Sequence, residues 1–169
     1  MNSIKQLYIV RHGKSEWDYG EVPDIDRPLK ERGIKDAYTM ANRILSEGNL
    51  PDRILSSPAI RALHTASIFA RTFKFPYHEI VIQEAIYMAS FNLILDIIKR
   101  TENSYNSVMI FGHNPTFTDL ANYFLKEKID NMPTTGIVKL KFETQSWFNI
   151  NEIKPIESSF DFPKNAYNL

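Results

Sequence analysis

The chain has 169 residues, 43% of them hydrophobic, with 20 Lys and Arg against 20 Asp and Glu and no cysteine. This length fits one domain that buries roughly two thirds of its unfolded surface, and the mixture of apolar and charged residues argues against global disorder. A net charge of zero sets up no long-range field toward nucleic acid or an anionic membrane, and the lack of cysteine excludes disulfide scaffolds, thiolate zinc sites, iron–sulfur clusters and Cys nucleophiles.

No run approaches the ~18 apolar residues of a membrane span. Residues 1–10 are too short and too polar for a secretory signal, so the expected location is the cytoplasm. Without repeats, low-complexity tracts or a Gly/Ser linker, residues 1–169 are expected to form a single domain.

The elements alternate. Leu7-Tyr8-Ile9-Val10 is a short apolar run ended by Arg11, the pattern of a buried strand. Residues 11–28 carry Gly13, Gly20, Pro23 and Pro28 and predict a long loop. A helix is predicted over 29–46, because Ile34, Ala37, Tyr38, Ala41, Ile44 and Leu45 recur at helical spacing before a stop at Gly48. Residues 53–56 predict a second strand, and Ser57-Pro58 the start of a helix to residue 73. A weaker strand is predicted over 77–83, then a helix over 91–100 capped by Ser90. Residues 107–111 form the clearest strand, and Asn114-Pro115 opens a helix to 125. Two strands, 137–142 and 146–150, are predicted around a turn at 143–145. Residues 151–169 read as an irregular tail whose Phe160, Phe162 and Tyr167 would cover the core or form a contact surface. The expected fold is α/β, a three-layer α/β/α sandwich with a mostly parallel central sheet.

In such a sheet, sites form beyond the carboxyl ends of the strands. Three segments fall there: Arg11-His12-Gly13, Ser56-Ser57-Pro58 with Arg61 one turn later, and Gly112-His113-Asn114-Pro115. Each alone has an ordinary structural reading: a strand-end ion pair, a snorkelling Arg, a His beside a helix cap. Together they would gather two Arg and two His, a costly cluster of donors unless an anion binds among them. Gly13-Lys14-Ser15 resembles the end of a phosphate-binding P-loop, but that motif needs a glycine where Tyr8 stands. Trp17, Tyr87 and Trp147 read as core or pocket rim.

Four blocks occur in order: L-Y-I-V-R-H-G-K-S-E-W from Leu7, Asp26-Arg27-Pro28-Leu29 with Arg32-Gly33, Leu55-Ser56-Ser57-Pro58-Ala59 with Arg61-Ala62 and Thr65-Ala66, and Gly112-His113-Asn114-Pro115. They resemble the histidine phosphatase (phosphoglycerate-mutase-like) superfamily, and within it the short SixA-type phosphohistidine phosphatase branch. The block Pro133-Thr134-Thr135-Gly136 is similar to that branch as well. The resemblance implies a phosphoglycerate-mutase-like fold and a phosphatase. His12 would be the nucleophile that carries the phosphoryl group, and Arg11, Arg61 and His113 would bind the phosphoryl oxygens, His113 as a cation. Ser15 would add a hydroxyl donor. It places a general acid after the third strand, where Glu84 stands. No cofactor is expected, and a metal is disfavoured because His12 and His113 would have to bind it beside two permanently charged Arg without a dense carboxylate set. Inorganic phosphate would be the product, and the partner either a phosphohistidine-bearing protein or a small phosphorylated substrate. A phosphatase of small monoesters with the same pocket, and a non-catalytic phosphoprotein- or anion-binding module, remain as alternatives.

Overall fold

The computed structural model describes residues 3–18 and 20–165. The chain runs β1 (Ile4–Arg11), α1 (Glu31–Glu47), β2 (Arg53–Ser56), α2 (Ile60–Phe73), β3 (Val81–Ile82), α3 (Phe91–Lys99), β4 (Ser107–Gly112), α4 (Thr116–Phe124), β5 (Ile137–Glu143) and β6 (Glu157–Asp161). Short 3-10 turns lie at Asp24–Asp26, Tyr77–Glu79, Glu84–Ile86 and Ile150–Glu152.

One six-stranded sheet has the order β3-β2-β4-β1-β5-β6. Strands β3, β2, β4 and β1 run parallel, whereas β5 pairs antiparallel with β1 and β6 antiparallel with β5. The sheet is therefore mixed, where a mostly parallel one was expected. In register, Arg11 lies beside Gly112 and Ser56 beside Phe111, so the carboxyl ends of β1, β2 and β4 share one rim.

The pleat sends alternate residues of each strand to opposite faces. Leu7 and Ile9 of β1 and Val108 and Ile110 of β4 pack with Ile94 and Ile98 of α3 and Leu120 of α4. Tyr8, Val10, Met109 and Phe111 pack with Ala37, Ala41 and Ile44 of α1 and Phe69 of α2. Each large apolar side chain fully buried in these clusters contributes about 1.5–3 kcal/mol. Gly48 closes α1 in the left-handed conformation, at φ 80°. Ser90 caps α3 by accepting a hydrogen bond from the Leu93 amide. Among the described residues, no helix is long and apolar enough to cross a membrane.

Four segments differ from the sequence expectation. Helix α2 starts at Ile60 rather than 58, because the Ser57 amide still donates to the Phe111 carbonyl and so prolongs the sheet ladder. Residues 77–83 make a 3-10 turn and only two strand residues. Residues 146–150 form no strand. Trp147 is fully buried, and its indole N–H donates to the Tyr105 carbonyl at 2.8 Å, which ties the segment to the end of the core instead of to β5. On the side away from β1, the partner of β5 is β6, inside the stretch expected to be irregular. Phe160 of β6 packs against the core and Phe162 lies 5.3 Å from its ring. Tyr167 lies outside the described residues.

Candidate active site

The rim formed by β1, β2 and β4 opens on a cavity of about 200 Å³ lined by Arg11, His12, Ser15, Arg61 and His113, with Asp24 and Arg27 at its loop side. The three segments singled out in the sequence thus meet. Larger hollows of about 360 and 670 Å³ lie under α3 and beside residues 151–158, away from these groups. Two glycines permit the close packing. A Cβ on Gly33 would sit 2.2 Å from the Lys14 carbonyl oxygen, so only glycine lets the first turn of α1 touch the segment after His12. A Cβ on Gly112 would sit 2.3 Å from the Phe117 ring. Residues 13–16 are further held by main-chain bonds from Lys30 to Lys14 and from Glu16 to Pro28. This anchoring explains the Asp26 to Gly33 block and has nothing of a P-loop about it.

His12 is 7% exposed, and its Nδ1 lies 2.7 Å from the Gly13 carbonyl oxygen. A carbonyl only accepts, so Nδ1 carries the proton and the lone pair is on Nε2. Burial, opposed by that carbonyl and aided by His113, Arg61 and Arg11, pushes the His12 pKa from the ordinary 6.5 down to about 3. The ring is neutral at physiological pH, the form a nucleophile needs.

Both arginines are held at one end. Arg11 donates from Nη1 to the Met132 carbonyl at 2.8 Å. Arg61, 5% exposed, donates from Nη1 to the Asp24 carbonyl at 2.6 Å and from Nη2 to Asp24 Oδ2 at 3.0 Å. The Nε atoms of both are buried without a hydrogen-bond partner, and so is Nδ1 of His113. Buried donors are rarely left unpaired, and each orphan costs about 1–3 kcal/mol.

The His113 Nε2 lies 2.8 Å from the Ser57 hydroxyl, and its ring centroid lies 5.1 Å from that of His12. Burial first, then Arg61, lowers its pKa to about 4. His113 is therefore neutral in the free site, not the cation expected from the sequence. A dianion between the arginines would favour its protonation.

Ser15 is buried at the cavity wall, where its hydroxyl accepts from Arg27 Nη1 at 3.1 Å. Glu84 is exposed and is not among the residues lining the cavity. From the same segment it is Tyr87 that reaches the site: its hydroxyl donates to Asp24 Oδ2 at 2.6 Å and its ring meets His113 edge-on at 5.7 Å. No site role is legible in the sequence for Asp24 or Arg27, and Tyr87 reads there as core or pocket rim. Arg27 is buried, bonded to Asp24 and Ser15, and stacked on the exposed Trp17 ring at 3.6 Å. The block containing Arg27 was visible, but nothing in its spacing showed what it would touch. Among the described residues no group of three or more His, Asp and Glu converges as a metal-ligand set.

The family model for the histidine phosphatase superfamily (branch 1) matches residues 7–86. An uncharacterized protein of Mycobacterium tuberculosis is 30% identical over 144 residues, covering 78% of this chain and 86% of its own. Among solved structures, SixA from Agrobacterium tumefaciens is 27% identical, with 92% of this chain and 97% of that one covered and a TM-score of 0.77. The protein histidine phosphatase SixA complexed with tungstate shares the fold, with a TM-score of 0.74, 21% identity and coverage of 94% and 97%. On these likenesses, and on the four sequence blocks that meet at one rim, the chain belongs to the histidine phosphatase superfamily and is of its SixA type.

Proposed function

We propose that the protein removes a phosphoryl group from phosphohistidine on another protein, with His12 as the nucleophile. The Nε2 lone pair of His12 attacks phosphorus while the bond to the leaving nitrogen breaks, and that electron pair departs with the substrate imidazole, which carries a proton on its other nitrogen and so leaves neutral. Water then attacks phosphorus, the bond to Nε2 breaks, its electron pair returns to the ring, and inorganic phosphate leaves. Arg11 and Arg61 present their Nε–H groups to the equatorial oxygens, and His113 becomes a further donor when the charge of the bound dianion raises its pKa and it takes a proton from solvent. These charges are held before the reaction begins, so they stabilise the transition state with little reorganisation.

The observation that carries the reading is the set of buried polar atoms without a partner, the donors Arg11 Nε and Arg61 Nε with the His113 ring nitrogen Nδ1, on residues that line one cavity with a neutral His12. Two further features support the substrate class. Asp24 is the only carboxylate lining the cavity among the described residues, and Tyr87, Arg61 and Arg27 hold it far below the usual carboxylate range. No carboxylic acid is thus ready to protonate an alkoxide, whereas an imidazole departs more easily. With Glu84 outside the cavity, Glu84→Gln should leave monoester and phosphohistidine hydrolysis alike unchanged. The cavity volume of about 200 Å³ is also smaller than the ~300–1,000 Å³ that encloses a typical small ligand, and it suits a phosphoryl group presented by a partner surface.

The test is turnover of a phosphohistidine protein, a phosphoserine peptide and a panel of sugar phosphates. The phosphohistidine protein should have the highest kcat/KM, by at least about tenfold. A sugar phosphate turned over faster would establish the small-monoester reading. Tungstate binding without turnover of any substrate would establish an anion-binding module.

A further inference from the structure

The two arginines are gripped alike but by unlike partners. Arg11 is held by the main-chain carbonyl of the fully buried Met132, fixed by the fold itself. Arg61 is held by Asp24, on a 3-10 turn within the loop after His12, with its side chain 47% exposed. A holder on a loop needs anchors of its own, and Asp24 has them. Its Oδ1 accepts from Arg27 Nε at 2.9 Å, and its Oδ2 accepts from the Tyr87 hydroxyl at 2.6 Å as well as from Arg61. Tyr87 in turn rests against His113. One carboxylate thereby joins the loop, α2 and the segment before α3.

We propose that Asp24, itself fixed by Tyr87 and Arg27, is the positioning residue that grips the Nη edge of Arg61 and so presents its Nε edge to the phosphoryl group. The inference rests on the phosphoryl-binding reading of the pocket. Its rival is that Asp24 is a competitor, an internal anion that occupies Arg61 until the phosphoryl group displaces it. Two observations favour the holder. Arg61 is bound by the main-chain carbonyl of Asp24 as well as by the carboxylate, and a side-chain swing would not release the carbonyl. Arg11, with no carboxylate on it, shows the same arrangement: Nη held, Nε buried and unpaired.

The rivals predict opposite signs. Neutralising a carboxylate beside an anion site strengthens anion binding unless the arginine is misplaced by the change. Tungstate affinity by calorimetry and steady-state turnover of a phosphohistidine protein would be measured for wild type, His12→Ala, Asp24→Asn and Tyr87→Phe, each well below its melting temperature. The holder predicts weaker tungstate binding in Asp24→Asn, by about tenfold, with kcat reduced more than KM is raised. Tyr87→Phe should shift both in the same direction by less. Unchanged or tighter tungstate binding in Asp24→Asn overturns the proposal. Should Asp24→Asn not fold, Tyr87→Phe decides by the same sign, since it removes only a hydroxyl. A wild type that binds no tungstate, or a His12→Ala variant that turns over normally, would bring down the functional reading first. An overturned Asp24 role would leave both of those controls intact.

Discussion

The parallel and antiparallel halves of the sheet do different work. In the parallel half, β1, β2 and β4 all point their carboxyl ends to one rim, so the residues that follow them, His12, Ser57 and His113, collect there with Arg11 and Arg61. In the antiparallel half, β5 and β6 contribute no residue to that cavity. They carry ion pairs instead: Lys139 with Glu47, Lys141 with Glu157, and Arg43 with Asp161. Parallel strands concentrate polar chain ends and make an anion site. An antiparallel pair sends alternate ends to opposite rims, and here it closes the edge.

The largest effect should follow Arg61→Ala, which removes a charged donor from the rim. A loss of about 2–4 kcal/mol of transition-state stabilisation is expected in kcat/KM, with tungstate binding weakened too. Wild-type kinetics would show that the rim is not the anion site.

A second effect is set by pH. Both imidazoles are neutral in the folded protein down to about 3 for His12 and about 4 for His113, while in the unfolded chain each takes a proton near 6.5. Between those values the unfolded state binds more protons, so stability falls as pH drops below about 6.5 and this loss levels off below about 3. Denaturant titrations across that range should show the decline, and replacing both histidines with Asn should lessen it, leaving the part due to His64 and Asp24, whose pKa values are also lowered. For the same reason kcat/KM in the wild type should show no loss of nucleophile at about pH 6.5, the ordinary imidazole range. A kcat/KM profile that halves there through titration of His12 would contradict the buried, neutral ring.

The smallest effect belongs to the other half. Lys141→Ala breaks a pair whose Glu157 side chain is 64% exposed. Surface pairs of this kind contribute about 0–1 kcal/mol, so stability should change by no more than that and turnover not at all. A large change in kcat would mean that the antiparallel edge reaches the site after all.

The same division governs what the sequence reveals. Strand β4 is buried along V-M-I-F and β1 along L-Y-I-V, so both are continuous apolar runs that periodicity detects. Strand β6 reads E-S-S-F-D and is mostly exposed, an edge strand defined by pairing with β5 rather than by its own pattern. In the site, Arg11, His12, Arg61 and His113 were legible because each follows a strand end or opens a helix. Asp24 was not, because its partners Arg61 and Tyr87 are 37 and 63 residues away and the loop that carries it has no periodicity. Glu84 was expected from its place after the third strand. The 3-10 turn at Glu84–Ile86 leaves it exposed and brings Tyr87 to the pocket.

The central claim is that His12 itself carries the phosphoryl group. The direct measurement is rapid quenching with a labelled phosphohistidine protein, followed by mapping of the label. A phosphoryl group that is lost in acid, survives in alkali and maps to His12, and that is absent from a folded His12→Ala variant with turnover reduced by at least about a thousandfold, is the predicted result. Label on another residue, or normal turnover by folded His12→Ala, would contradict it.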